Sequence, residues 1–148
     1  MAGERQRVNA PEAPTAVGPY SHGILYTPAV AGSADAAGTA EGGSGLLFCS
    51  GQIPLDPSSG ELVGESAAEQ ARRCLENLRA VCEAAGTTLG RALKLTVYMT
   101  DLSQFGAVNE VYGSFFAGVE PPARVAVEVS GLPKGAQVEI DAVVATGG

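Results

Sequence analysis

The chain has 148 residues, 45% of them hydrophobic and 17% charged, which is the size and composition of one globular domain able to bury an apolar core. Sixteen acidic residues against nine basic ones leave a net charge of −7, and no basic cluster offsets it. Nucleic-acid affinity rests largely on Lys and Arg neutralising phosphates, so RNA or DNA is not expected as a main partner. No apolar run approaches the roughly 18 residues that would suggest a membrane-spanning helix. The opening MAGERQRVNA carries no apolar stretch of secretory type, so a cytoplasmic address is expected.

Residues 1–13 are polar and read as an irregular lead-in, with the flexible N-terminus drawn at 1–9. Tyr20 to Tyr26 reads as a short strand. Residues 27–45 are dominated by Ala, Gly, Ser and Thr and read as a flexible insertion, either a dispensable loop or a lid. The compact apolar run Leu46 to Ser50, ended by Gly51, signals a buried strand. Turn residues fill 54–61.

The period then changes from two to 3.6. Ser66 and Glu69 form a capping box. Ala67, Ala71, Cys74, Leu75, Leu78, Val81, Cys82 and Ala85 follow at helical spacing, and Gly86 supplies the stop. The cysteines at 49, 74 and 82 lack CxxC spacing, and the latter two are expected to pack as small hydrophobes. His22 is the only histidine, so a metal site is not expected.

Leu93, Leu95, Val97 and Met99 alternate with polar residues as a strand would. Asp101 can cap a second helix with Phe105, Val108, Tyr112 and Phe115 on its buried stripe. Pro121 and Pro122 end it, and alternating strands follow at Ala123–Val129 and Val138–Ala145, separated by the turn GLPKG at 131–135. The order β-β-α-β-α-β-β predicts a single α+β domain over 1–148, one sheet with two helices on one face.

Side-chain parity extends this reading. With Val125, Val127 and Val129 facing the helices, Arg124, Ala126 and Glu128 would face away. Glu139 and Asp141 would do the same in the last strand, alongside Lys94, Thr96 and Tyr98. If GLPKG closes a hairpin, Arg124 and Glu139 share the open sheet face. Such a polar face suits either an oligomer interface with structural ion pairs or a ligand site built inside one. An arginine there suits a carboxylate, because its planar fork donates two parallel hydrogen bonds.

Five collinear segments carry a resemblance: Gly18-Pro19-Tyr20-Ser21-His22, Ser50 through Asp56, Asn109-Glu110-Val111-Tyr112, Pro122-Ala123-Arg124 and Val138-Glu139-Ile140. Together, from about residue 10 to 146, they resemble the Rid family of reactive-intermediate (enamine/imine) deaminases, also called the YjgF or RidA family. The resemblance implies a chorismate-mutase-like fold and a homotrimer with clefts between subunits. It implies a hydrolase of the 2-iminobutanoate/2-iminopropanoate deaminase type, releasing 2-oxo acids and ammonia without cofactor or metal. Arg124 would grip the substrate carboxylate, and Glu139 would orient or activate water. Tyr20, Ser50, Gly51 and Asn109 would line the cleft. Many relatives have Ser and Cys after this arginine, whereas Val125 and Ala126 follow Arg124 here, so Ala126 can offer the substrate only its backbone. The rival readings are a non-catalytic module binding small carboxylates and an endoribonuclease.

Overall fold

The computed structural model describes residues 2–29 and 44–147. Its strands are β1 (Glu4–Val8), β2 (Gly23–Thr27), β3 (Gly45–Gln52), β4 (Ala92–Met99), β5 (Ala123–Glu128) and β6 (Val138–Thr146). Two helices, α1 (Ala67–Ala84) and α2 (Phe105–Phe115), precede β4 and β5 respectively. The strands make one sheet in the order β1-β2-β3-β6-β4-β5. Only β4 and β5 run parallel within it, joined by the α2 crossover.

Helix α1 forms where the capping box and the 3.6-residue stripe predict it. Ser66 Oγ accepts from the Glu69 amide at 3.1 Å, while the Glu69 carboxylate reaches back to the Glu65 amide at 2.8 Å. Gly86 ends the helix with φ +79°, a conformation only glycine adopts without strain. Ala71, Cys74, Leu75, Leu78, Val81 and Cys82 are wholly buried against Leu47, Leu95, Val138, Ile140 and Val144 of the sheet. Each such leucine or valine stabilises the fold by about 1.5–3 kcal/mol relative to exposure. All three cysteines are free and buried, and Cys74 donates to the Val138 carbonyl at 3.5 Å.

Three expectations need correction. First, residues 4–8 are not irregular: they form β1, which pairs antiparallel with β2 from Glu4–Thr27 to Val8–Gly23. Their polar sequence carries no apolar face because only Val8 is buried. Second, GLPKG does not close a hairpin between the last two strands. It makes a short 3₁₀ turn at Pro133–Gly135, and β6 inserts between β3 and β4, leaving β5 at the sheet edge.

Third, the parity of β5 is reversed. Its register on β4 pairs Leu95 with Arg124, Val97 with Ala126 and Met99 with Glu128. Leu95, Val97 and Met99 lie in the core beneath the helices, so Arg124, Ala126 and Glu128 face the helix side. Val125 and Val127 face the open side, where they remain 42% and 36% exposed. The parity of β6 is as predicted, with Val138, Ile140, Ala142 and Val144 buried and Glu139 and Asp141 opposite. Most of the insertion expected at about 27–45 lies outside the described residues; its first and last residues belong to β2 and β3. Among the described residues no helix is long and apolar enough to cross a membrane.

Candidate active site in two halves

The reversed parity separates the two residues expected to work together. Arg124 projects toward α2, and Glu139 projects from the sheet's open face. Each has its own cavity.

The Glu139 cavity, about 320 Å³, is lined by Tyr20, Ser50, Gly51 and Glu139 together with Val17, Ile53 and Pro133. At Gly51 an added Cβ would lie 3.0 Å from the Glu139 carboxyl carbon, so the absence of a side chain lets the carboxylate lie across β3. Burial, reinforced by the nearby Asp141 charge, pushes the Glu139 carboxyl above its ordinary pKa of 4.5. A carboxylate perturbed in this direction is better matched to proton transfer near neutrality.

The loop carrying Tyr20 is held by His22, which is buried. The Ala10 amide donates to His22 Nδ1 at 3.0 Å, and Nε2 lies 2.8 Å from the Pro14 carbonyl, so Nε2 carries the donated proton. Both ring nitrogens are thereby engaged with backbone. Tyr20 remains 41% exposed, and its hydroxyl accepts from the Val17 amide at 3.1 Å. Ser50 Oγ donates to the Ser21 carbonyl at 2.6 Å, tying β3 to the same loop.

The Arg124 cavity, about 390 Å³, lies at the sheet edge, where Asn109, Tyr112 and Phe116 of the α2 region meet Pro121, Pro122 and Arg124. The guanidinium carbon sits 4.7 Å from the Tyr112 ring centroid and 5.2 Å from that of Phe105. Nη1 donates to Asn109 Oδ1 at 2.7 Å. Two aromatic contacts and one hydrogen bond orient the fork while leaving donors for an anion. Asn109 thus acts on Arg124 directly. Ala126, expected to contact substrate, lines neither cavity; it packs against the core beside Val97.

Sequence reasoning missed the residues that shape these cavities from behind. Asn77 of α1 is wholly buried and donates to the carbonyls of Ile53 and Leu55 at 3.3 and 3.0 Å, pinning one wall of the Glu139 cavity. Gln70 donates to the Gly64 carbonyl and accepts from the Gln137 amide, which fixes the approach to β6. Both lie within the helix's buried face, where a polar residue signals a bond made to something beyond the helix. Phe105 and Tyr112 were legible as buried aromatics, but their support of Arg124 was not.

Comparison with known proteins adds to this geometry. The family profile described as Endoribonuclease L-PSP matches residues 36–146. RutC family protein y4sK of Sinorhizobium fredii is 44% identical over 137 residues, covering 93% of this chain and 94% of that protein. The protein named 2-iminobutanoate/2-iminopropanoate deaminase in Rattus norvegicus is 37% identical over 143 residues, covering 97% of this chain and 91% of the rat protein. The crystal structure of YyfA from Yersinia pestis, described as a protein of unknown function of the conserved Rid protein family, superposes with a TM-score of 0.80. It shares 36% identity and covers 97% of this chain and 100% of its own.

Proposed function

This chain belongs to the Rid family, and we propose that it hydrolyses small 2-imino and enamino acids to 2-oxo acids and ammonia in a homotrimer whose active sites lie between subunits. The observation that carries this reading is the placement of Arg124 and Glu139 on opposite sides of one sheet, in separate cavities. One cavity holds an oriented anion grip and the other a perturbed carboxylate. A contact between unlike surfaces of two copies, repeated by rotation, would bring one copy's grip to another's carboxylate and close into a ring. On the open face, Phe48 of β3 and Val125 and Val127 of β5 are 47%, 42% and 36% exposed and offer apolar surface for such a contact.

The chemistry asks little beyond position. An iminium carbon is already electrophilic, so the main tasks are to hold the carboxylate and present water. Arg124 grips the anion through its free fork. Glu139 takes a proton from water as the oxygen bonds to the imine carbon, giving a tetrahedral amino alcohol. Returning that proton to nitrogen lets ammonia leave as the C–N bond breaks, and the Glu139 carboxylate then takes the hydroxyl proton as the C=O bond forms and passes it to solvent. General-base assistance of this kind contributes about 10²–10⁴-fold. The rat relative's name as an imino-acid deaminase supports the substrate class. The ribonuclease reading has less support, since a −7 chain offers few phosphate contacts and both nitrogens of its single histidine are bonded to backbone.

The test generates imine from an amino-acid oxidase and follows 2-oxo acid release. Wild-type protein should accelerate release; equal rates with and without it, or full activity in Arg124→Ala, would overturn the deaminase reading. Mixing Arg124→Ala with Glu139→Gln chains, then exchanging subunits, should restore activity at about a quarter of the interfaces. Exchanged mixtures no more active than either variant alone would refute shared sites.

A further inference from the structure

Helix α1 carries three of the chain's nine basic residues, Arg72, Arg73 and Arg79. Arg73 is spent within the helix: its Nε donates to Asn77 Oδ1 at 3.1 Å, and Nη1 meets the Glu76 carboxylate at 2.9 Å. Arg72 and Arg79 are exposed, lie about two turns apart and reach instead toward α2. Their guanidinium carbons sit 5.9 and 5.4 Å from the centroid of a single ring, that of half-buried Phe115. The ring attracts each cation, yet the N–H donors of both forks still need acceptors.

The acids of α1 do not supply them. Glu69 is bonded to the Glu65 amide and Glu76 is paired with Arg73. Glu83, one turn beyond Arg79, lines the same cavity without coming within salt-bridge range, since among the described residues the ion pair within that range is Arg73 with Glu76. Two permanent positive charges thus outweigh one carboxylate here, in a chain of net charge −7. Like charges gathered at one ring repel each other unless an anion joins them.

The cavity they border, about 420 Å³, runs from Phe115 to the turn at Thr88 and Leu89. Leu89 is buried and gives it an apolar wall. Thr88 makes no capping hydrogen bond with its hydroxyl, which leaves that group for a ligand. Ser114 adds no donor, because its hydroxyl is given to the Val111 carbonyl at 2.6 Å.

We propose that this groove between α1 and α2 is a second anion site that binds a phosphate monoester, with the phosphate held by the forks of Arg72 and Arg79 and the organic part laid toward Leu89. A phosphate suits two forks better than a carboxylate does. Its three terminal oxygens and nearly two charges engage both arginines, whereas a carboxylate offers two oxygens and one charge, which one fork satisfies. The cavity volume falls within the roughly 300–1,000 Å³ of small-molecule sites, which leaves room for the organic part. The groove shares no lining residue with either half-site: Ser114 and Phe115 border it, while Asn109, Tyr112 and Phe116 border the Arg124 cavity. It stands apart from the deaminase reading.

The experiment titrates phenyl phosphate into the full-length protein by calorimetry at fixed ionic strength and about pH 8, where the monoester is a dianion. Benzoate, a carboxylate on the same ring, is the matched control. Arg124 is itself an anion grip, so both titrations are repeated in Arg124→Ala, and backbone amide NMR locates the bound ligand. In Arg124→Ala, phenyl phosphate should bind saturably at one site per chain, more tightly than benzoate, and shift the amides of Thr88, Leu89, Ser114 and Phe115. Arg72→Gln and Arg79→Gln should each weaken that binding about 10-fold or more, since each removes a charge-assisted fork. Both side chains are exposed, so these variants leave the core intact, which thermal unfolding checks. Four results would each overturn the proposal: no saturable binding in Arg124→Ala, undiminished binding when both arginines are replaced by glutamine, benzoate bound as tightly as phenyl phosphate, or amide shifts confined to the Arg124 cavity.

Discussion

The two half-sites are prepared by opposite physical means. Arg124 stands exposed at the sheet edge and is oriented by contacts: two aromatic rings and the Asn109 carbonyl hold its guanidinium. Glu139 is half-buried over the core of the sheet and is prepared by its medium, through loss of water and a like charge. A permanently charged fork loses little by staying in solvent and needs direction, whereas a carboxylate acquires useful basicity only by partial removal from water. One chain provides both devices on faces that cannot meet, which favours a site shared between copies.

Substitutions can break that contrast. The largest effect is expected for Glu139→Gln, which should lower kcat by about 10²–10⁴-fold with little change in KM, read by steady-state kinetics. Arg124→Lys keeps the charge but loses the fork and the stacking geometry; it should weaken substrate binding about 10–100-fold, seen mainly in KM. Equal losses in kcat from both variants would argue against separate roles. Asn109→Ala removes only the bond that orients Arg124, so KM should rise about 3–10-fold.

The pH response sharpens the same comparison. If Glu139 works as a carboxylate base, kcat/KM should fall as pH drops through its raised pKa, giving an acid limb above pH 4.5. For stability the sign is reversed. The native state binds the Glu139 proton more tightly than the unfolded chain, so this group's contribution is complete below pH 4.5 and is lost as pH rises through the folded value. Glu139→Gln should flatten that segment of a Tm-against-pH curve. The smallest effect is expected for Tyr112→Phe. Its hydroxyl is buried with no partner among the described residues, so removal should be neutral or stabilise the fold against thermal unfolding by up to about 1 kcal/mol, while Arg124 keeps an aromatic ring beneath it.

Much of this protein was determined by sequence alone. The capping box, the helical stripe and Gly86 set α1; alternation set the faces of β6 and of β4 from Leu95 onward, whereas Leu93, expected on the apolar face, is 49% exposed because the register shifts between Ala92 and Lys94; and the collinear motifs marked Arg124, Glu139 and their neighbours. These signals are local, arising from backbone periodicity and from capping or turn geometry within a few residues. What tertiary structure decided was pairing and facing. β1 exists because β2 offers it an edge, not because its own residues demand a strand. Val125 and Val127 look inward-facing by their apolarity, yet α2 must cover Leu95, Val97 and Met99, and the parallel register then turns Arg124 toward the helix. Alternation says which residues share a face; only the partner strand and the helix laid across it decide which face that is.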